Sequence, residues 1–558
     1  MKISIALLSS YTLKNVEEPL KKELLARGFE PEFSHGGYNQ FIQELIDTSS
    51  WLHASKPNVI LIALSARTFL HEAEYELLDS EKKAFSQADE KLGMLEQALL
   101  AIDFPARVIL TTLDFPQYSP LGVMDLTSRG MHSLIEHCNH RLIELAKASD
   151  RVVLLDFEKV VSYVGKHKVT DEKLFYMGKL VLGKEAANAF AQECATLINA
   201  SYGKTKKCLV VDLDNTLWGG VVGEDGKNSL KIGKEGAGAI YREIQLILRN
   251  LKKKGVLLAI ASKNNLEDAE EAFKNSEMVL KLDDFVARRI NWEHKSKNIR
   301  EIAEELSLGV DSFAFLDDNI AERMEVKTNV PEVEVIDFPS DVALLPKTLQ
   351  QWPSFETLAL TEEDKKRHDL YAEERKRETL KKTVSLDDYL KQLEIVITVK
   401  KNDLEHLERI TQLTNKTNQF NLTTKRYTKE EMLAFMQNKD SFVTSVDVRD
   451  KFGDLGLTGV MIVKRISAGR FLIDSFLMSC RILSRKIENQ YFTESMRMIS
   501  EKDAVVECLY VPTAKNGLVK EMYETLGCTL ASEKDGRKEY NTPVKSLIQN
   551  NYPWIRVE

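Results

Sequence analysis

Cysteine is scarce in this 558-residue chain. The six cysteines, Cys138, Cys194, Cys208, Cys480, Cys508 and Cys528, lie far apart, with no CxxC pair. That spacing argues against a zinc knuckle and suggests free thiols in a reducing compartment. Long apolar runs are missing too. No stretch approaches the roughly 18 apolar residues that cross a bilayer as a helix, so no membrane span is expected. The opening MKISIALLSSYTLKN has one short apolar run and no clean small-residue cleavage site, so it reads as a first strand rather than a signal peptide. A cytoplasmic location is the resulting expectation. Positive charge is not in excess: the formal net charge is −8 and the isoelectric point about 5.9. A nucleic-acid binder would show a basic footprint, so no nucleic-acid partner is expected. There is no G-x-x-x-x-G-K-[ST] loop and no G-x-G-x-x-G after a strand, which excludes the common nucleotide cradles. Histidines are scattered, and His35 in HGGYNQ reads as a turn or domain-contact residue.

What is present is an ordinary globular composition, 43% hydrophobic and 29% charged, in a chain long enough for three or four domains. Over residues 1–200, short apolar runs at Ile3–Leu8, Val59–Leu64, Arg107–Thr111 and Arg151–Leu155 alternate with amphipathic stretches, the pattern of an α/β sheet. Ser201–Lys207 is polar and contains Gly203, a linker composition. A second α/β unit follows over 204–345. Its strands are expected at Cys208–Val211, Val256–Ala261 and Ser312–Leu316. Between them, Ile240, Ile244, Ile247, Leu248 and Leu251 recur at helical spacing, as do Ile299, Ile302, Ala303 and Leu306. Residues 346–392 read as a helical linker, with the dense charge of 362–382 as a solvated helix. Residues 393–548 return to strands, at Ile395–Val399, Gly459–Lys464 and Phe471–Leu477, with a helix after Arg485.

The chemistry-bearing residues fall in the second unit. Asp212-Leu213-Asp214-Asn215-Thr216 follows directly on the apolar strand CLVV. Ligands of open parallel sheets bind beyond the carboxyl ends of the strands. A carboxylate there can attack phosphorus and form an aspartyl-phosphate. A second carboxylate two residues on can protonate the leaving oxygen and later activate water, which is the expected role of Asp214. D-x-D-x-T alone would occur by chance in roughly one chain in fifteen of this length, given residue frequencies near one in twenty. The companions change the odds. Ser262 ends the strand VLLAIA, where a hydroxyl can hold a phosphate oxygen. Lys295, with Lys297 as its rival, precedes a helix and can neutralise phosphoryl charge. Asp317 and Asp318 end the strand SFAFL, and carboxylates at that edge suit a hard, oxygen-preferring cation.

In order, D-x-D, Ser, Lys and D-D resemble the four motifs of the haloacid dehalogenase (HAD) superfamily. The resemblance implies Asp212 as nucleophile, Asp214 as acid and base, and phosphate contacts from Ser262 and Lys295. It also implies Mg²⁺ held by Asp212, Asp214 through its backbone carbonyl, and Asp318, with Asp317 in support. Ser262 and Lys295 are 33 positions apart (262 to 295), too few for a large cap domain. The glycine-rich run Trp218–Gly226 is short, more like a β-flap than a lid. An open site of this kind suits a large substrate, such as a group on a carrier protein.

DLDNTLWGGVVGEDG is similar to the signature of the FkbH-like proteins within that superfamily. So are the IASKN run around Ser262, NWEHKSKNIREIAEEL at 291–306, FLDDNIAER at 315–323, and, later, TNKTNQFNLTTKRY, KFGDLGLTGV, SCRILSR and the TAKN of 513–516. The resemblance implies loading of a glyceryl unit from 1,3-bisphosphoglycerate onto an acyl carrier protein, with loss of phosphate. It leaves open a stand-alone phosphatase acting on a small phosphorylated metabolite, and a scaffold that recruits a carrier or synthase.

The ends resemble known folds but depart from their active patterns. Residues 1–200 resemble the SGNH hydrolases, a flavodoxin-like α/β fold. Ser9 and Ser10 stand where the serine belongs, but the late LFYMGKLVLGKEAAN lacks the histidine, and no Gly-Asn pair supplies an oxyanion hole. A fold kept for docking is expected. Residues 393–548 resemble an α+β acetyltransferase (GNAT) fold. The loop that would hold a coenzyme A pyrophosphate reads Arg481-Ile482-Leu483-Ser484-Arg485-Lys486, with both glycines replaced. Side chains crowd the close backbone approach such a loop needs. Arg481 and Arg485 are the expected cofactor-binding residues, and the bases at 485 and 486 could attract the phosphate of a carrier's phosphopantetheine arm. Cys480 beside the loop reads as a small buried hydrophobe.

Overall fold

The computed structural model describes residues 1–558 except 120, 127–128, 227, 361–367, 369, 372, 374–376, 378–379, 381–383, 480–481, 484, 502 and 550–551. The chain forms two compact units, Met1–Tyr202 and Gly203–Glu558.

In the first unit five parallel strands, β1 (Lys2–Ser9), β2 (Glu30–His35), β3 (Val59–Ala63), β4 (Arg107–Thr111) and β5 (Val152–Leu155), lie in the order β2-β1-β3-β4-β5. This is a doubly wound order of the flavodoxin type. The central strands read as continuous apolar runs because both faces are covered. Ala6, Leu8, Ile60 and Ile62 pack on one side with residues of the helices Glu81–Leu100 and Met131–Ala148. Ile5, Leu7, Val59 and Leu61 pack on the other, with the helices Glu17–Ala26 and Lys184–Ser201. β2 is an edge strand of mostly exposed polar residues and carries no such apolar signal.

The second unit begins with another parallel sheet, β6 (Cys208–Val211), β7 (Leu257–Ser262), β8 (Ala287–Ile290), β9 (Phe313–Leu316) and β10 (Glu334–Val335), in the order β10-β9-β6-β7-β8. β6 is central. The chain winds outward from it in both directions, so the switch point that favours ligand binding lies at its carboxyl end. Leu209 and Val211 face one core, and Cys208 and Val210 the other. The helix Gly236–Lys253 covers the first face through Ile244, Ile247, Leu248 and Leu251.

The rest of the unit is a mixed α+β sheet of eight strands: β11 (Ile395–Lys401), β12 (Ser441–Asp450), β13 (Gly453–Ser467), β14 (Arg470–Met478), β15 (Val505–Tyr510), β16 (Leu530–Lys534), β17 (Arg537–Pro543) and β18 (Ile555–Val557). The order is β16-β17-β15-β14-β13-β12-β11-β18. Only the β14–β15 and β11–β18 pairs are parallel. The charged stretch 362–382 falls largely outside the described residues. Where it is described it is not solvated: Leu370, Tyr371 and Arg377 are buried. The physical reason is pairing. Arg377 meets Asp450 through two hydrogen bonds, so the charge enters the interior with its counter-ion.

No helix among the described residues is long and apolar enough to cross a membrane. The described cysteines, all except Cys480, are buried free thiols.

Candidate active site

The loop after β6 is built by its own sequence. Asn215 takes a left-handed backbone, φ 53°, which asparagine tolerates, and its side-chain oxygen accepts the Gly220 N–H at 2.9 Å. Gly220 itself stands at φ 102°. Gly219 pairs with Lys231 through two backbone hydrogen bonds, which closes a short flap. A Cβ on Gly219 would come 2.6 Å from the Tyr241 ring, so only glycine fits there. Between Ser262 and Lys295 the chain forms the helix Leu266–Phe273, a 3₁₀ turn and β8, with no separate cap domain.

Asp212 stands just past the end of β6 and Asp317 and Asp318 just past β9, so the β6–β9 pairing of Val211 with Leu316 sets the carboxylates side by side. Asp212, Asp317 and Asp318 offer oxygens that all lie within 4.8 Å of one another. Lys295, first residue of the helix Lys295–Glu305, reaches in from the side. Its ammonium donates to Asp212 Oδ1 at 2.5 Å and to Asp317 Oδ2 at 2.7 Å. All three groups are buried. Lys297, by contrast, pairs at the surface with Glu293 at 3.2 Å. Ser262 ends β7 and is 1% exposed.

The electrostatics are those of a crowded anionic cluster. Burial, then the neighbouring Asp212 charge, pushes both the Asp317 and the Asp318 carboxyl up to about 6. Burial alone would lower the Lys295 ammonium's pKa, but Asp212 and Asp317 outweigh it and hold it above the usual lysine value. Three carboxylates and one ammonium leave a formal charge of −2 when ionised. An all-oxygen set with that charge suits a hard divalent cation. Asp317 is otherwise occupied: Oδ2 accepts from Lys295 and Oδ1 from the Asn319 N–H at 2.8 Å. Asp212 and Asp318 are therefore better placed to ligate directly.

Several contributors escape a reading of the four motifs alone. Asp214 Oδ1 accepts from Trp218 Nε1 at 2.9 Å and the Val222 N–H at 3.1 Å, and Oδ2 accepts from Asn264 Nδ2 at 2.8 Å. Trp218 is held edge-on against Phe273, ring centroids 5.5 Å apart, which aims its N–H. Arg323 donates to the backbone carbonyls of Asp317 and Asp318, both at 2.7 Å, and so fixes the paired-aspartate turn. Glu325 accepts the Ser296 N–H at 3.1 Å and bonds its hydroxyl, which anchors the helix start that carries Lys295. Asn264 had a sequence signal, two residues past Ser262. Glu325 had none.

Among the described residues, those expected to act elsewhere are not brought to this centre. Arg481 and Cys480 lie outside the described residues. Arg485 is buried, its guanidinium 4.0 Å from Asp450 Oδ2. Ser9 and Ser10 are buried at the end of β1: Ser9 Oγ bonds the Tyr11 carbonyl, and Ser10 Oγ lies 2.7 Å from the Thr68 hydroxyl.

Comparison with known proteins agrees with this geometry. The family described as FkbH, N-terminal domain, matches residues 5–199. Among solved structures, the N-terminal part of protein BF1531 from Bacteroides fragilis, which contains a phosphatase domain and is complexed with Mg, is 30% identical. The match covers 64% of this chain and 95% of that one, with a TM-score of 0.60. A domain from Methanocaldococcus jannaschii (12% identity, 26% of this chain and 97% of that one, TM-score 0.21) and a spermidine N-acetyltransferase variant from Vibrio cholerae (10%, 28% and 97%, TM-score 0.21) match far more loosely. No curated protein matches. With nearly the whole of the B. fragilis structure aligned at that identity, the chain belongs to the FkbH-like proteins of the haloacid dehalogenase superfamily.

Proposed function

We propose that this protein is a Mg²⁺-dependent phosphatase or phosphotransferase of the HAD type, with Asp212 as nucleophile. The observation that carries the reading is the convergence of Asp212, Asp317, Asp318 and Lys295 at the open end of β6 and β9. The Mg-bound B. fragilis phosphatase domain supports the choice of metal. Mg²⁺, held by Asp212, Asp318 and the backbone carbonyl of Asp214, would offset phosphate charge and orient the group for in-line attack. An Asp212 oxygen attacks phosphorus, and the bond to the leaving oxygen breaks as an aspartyl-phosphate forms. Lys295 balances charge on the nucleophile and the phosphoryl group, and Ser262 donates to a phosphoryl oxygen. Asp214 supplies the leaving group's proton and then takes one from the attacking water. Its Oδ2, with a single hydrogen-bond donor, keeps a lone pair for that proton.

The finer reading is that phosphate loss is coupled to loading a glyceryl-type acyl unit onto an acyl carrier protein. The FkbH family and the absence of a cap between Ser262 and Lys295 support it, because an open site admits a substrate borne on a protein. In this reading residues 1–200 are a docking module and 393–548 a GNAT-like module turned to carrier recognition.

Intact mass spectrometry of a holo-carrier incubated with the protein, Mg²⁺ and 1,3-bisphosphoglycerate tests it, with Asp212→Asn alongside. A glyceryl-sized mass gain that requires Asp212 is expected. Asp212-dependent phosphate release from small metabolites with no gain on the carrier would leave a metabolite phosphatase.

A further inference from the structure

The helix Ile320–Asn329, which follows the paired aspartates, carries two glutamates with separate tasks. Glu322 and Glu325 stand three residues apart and so share a face. Glu325 anchors the start of the Lys295 helix through Ser296. Glu322, one turn nearer the aspartates, accepts from the ammonium of Lys263 through Oε1 at 2.7 Å. Lys263 directly follows Ser262.

The sheet sets the path of this ion pair. Lys263 follows β7 and Glu322 follows β9, and β6 lies between those strands. The bond therefore crosses the line of the strand that ends at Asp212. Side-chain alternation decides on which side it crosses. Val210 of β6, Ala261 of β7 and Phe315 of β9 all face the core covered by Ile299 and Ile302 of the Lys295 helix. Asp212, Lys263 and Asp317 each stand two residues further on, so they continue on that same side, where the Lys295 ammonium meets Asp212 and Asp317.

Neither partner is saturated. Glu322 Oε2 is buried and finds no hydrogen-bond partner among the described residues. The Lys263 side chain is 34% exposed, and Glu322 engages one of the three donors of its ammonium. A partly exposed ion pair adds little stability, so this ammonium can exchange its carboxylate for a phosphate without a large loss. Lys295 is differently placed. It is buried, and two of its three donors already go to Asp212 and Asp317.

We infer that Lys263 is a further phosphate-binding residue, held in reserve by Glu322. When a dianionic phosphoryl group settles at the end of β6, the Lys263 ammonium turns from Glu322 to a phosphoryl oxygen, and on release it returns. Lys263 thus brings the cation that the nucleophile does not already hold. Glu322 is a positioning residue: by competing for the ammonium it weakens the grip on phosphate, product included, and so favours release. The inference rests on the phosphoryl reading above and is independent of the carrier.

Isothermal titration calorimetry of inorganic phosphate into the full chain with Mg²⁺ tests it, beside KM and kcat for phosphate release. Lys263→Met should weaken phosphate binding and raise KM by about tenfold or more, the loss of one charge-assisted hydrogen bond, with kcat within about threefold. Lys263→Arg should restore most of both. Glu322→Gln should act in the opposite direction and tighten phosphate binding by about threefold or more, because the ammonium is freed. That gain should vanish in the double variant Lys263→Met/Glu322→Gln, which separates release of the ammonium from the mere removal of a negative charge. A pair that only braces the fold would weaken binding in both single variants alike. That result, unchanged binding in Lys263→Met, or a gain that persists in the double variant overturns the inference. Mg²⁺-dependent phosphate binding by the wild type would leave the phosphoryl reading standing in each of those cases. A wild type that neither binds phosphate with Mg²⁺ nor releases it from any substrate removes the phosphoryl reading and this inference with it.

Discussion

The ammonium of Lys295 stands 2.5 Å from Oδ1 of Asp212, both groups being buried at the open end of the parallel sheet. The pair holds a nucleophile in place and stores positive charge where phosphoryl charge must be met. Removing the cation also strands Asp317, its other partner. Lys295→Met should lower kcat for phosphate release by about 10²–10³-fold, the cost of losing one preorganised charge-stabilising donor. Lys297→Met, which removes only a surface pair, should leave kcat within about threefold. Steady-state phosphate release by the two variants separates the lysines, and equal losses would contradict the geometry.

Asn264 is a positioning residue for Asp214. Its amide is the donor to Oδ2, the oxygen that must deliver and recover the proton. Asn264→Ala leaves the metal-facing carboxylates intact but frees the Asp214 side chain to rotate about its remaining donors on Oδ1. The expected result is a fall in kcat of about tenfold or more, part of the 10²–10⁴-fold contribution of general acid–base catalysis. KM should stay within about threefold. A rise in KM at constant kcat would assign Asn264 to substrate binding.

The sequence carried more of the phosphoryl centre than of its support. Asp212, Ser262, Lys295 and the Asp317–Asp318 pair each fall at a strand end or helix start, so apolar runs and punctuation made them candidates, and the resemblance to the four motifs chose Lys295 over Lys297. Asn264 and Glu325 were not legible in the same way. Their roles come from tertiary approach, Asn264 across to the β6 loop and Glu325 from one helix to the start of another. The central strands of both parallel sheets were readable because burial on two faces makes them apolar throughout. β2 was not, since one edge meets solvent and its residues are polar. The charged stretch 362–382 misled at Arg377, because composition cannot tell a solvated arginine from one buried against a distant aspartate.

The paired aspartates make metal binding pH-dependent. Asp317 and Asp318 titrate near 6, raised by burial and by the charge of Asp212. Without metal, a carboxyl raised in the folded state contributes stability that is full below its unfolded value and is lost as pH rises through about 6. Ligation needs the ionised form, so with Mg²⁺ the sign reverses and the ion's stabilisation grows as pH rises through the same window. Thermal unfolding from pH 5 to 7.5 should show Mg²⁺ raising the midpoint markedly at pH 7.5 and little at pH 5. Chelation should abolish activity at every pH. Asp318→Asn should remove most of the Mg²⁺-induced shift. A shift that is unchanged with pH, or unchanged in that variant, would place the ion elsewhere.

The interior ion pair in the second unit gives a test of stability rather than catalysis. Arg377 is fully buried, with Nε 2.7 Å from Asp450 Oδ2 and Nη2 2.8 Å from Oδ1. Removing Arg377 leaves Asp450 with Arg485 at 4.0 Å, and removing Asp450 leaves Arg377 with Glu373 at 3.6 Å, so each single change leaves a buried charge only partly compensated, a loss of up to about 3–5 kcal/mol. Arg377→Met should therefore lower the chemical-denaturation midpoint of this unit clearly, and Asp450→Leu should do the same. The double variant removes both charges at once. Its loss should be below the sum of the single losses, because neither member of the Arg377–Asp450 pair then remains buried without the other, although Arg485 loses its contact with Asp450 as it does in Asp450→Leu. Phosphate release by the folded double variant should persist, since neither residue contacts the carboxylate cluster. Additive losses would mean that Arg377 acts through its packing against Phe452, whose ring centre lies 5.8 Å from the guanidinium, rather than through charge.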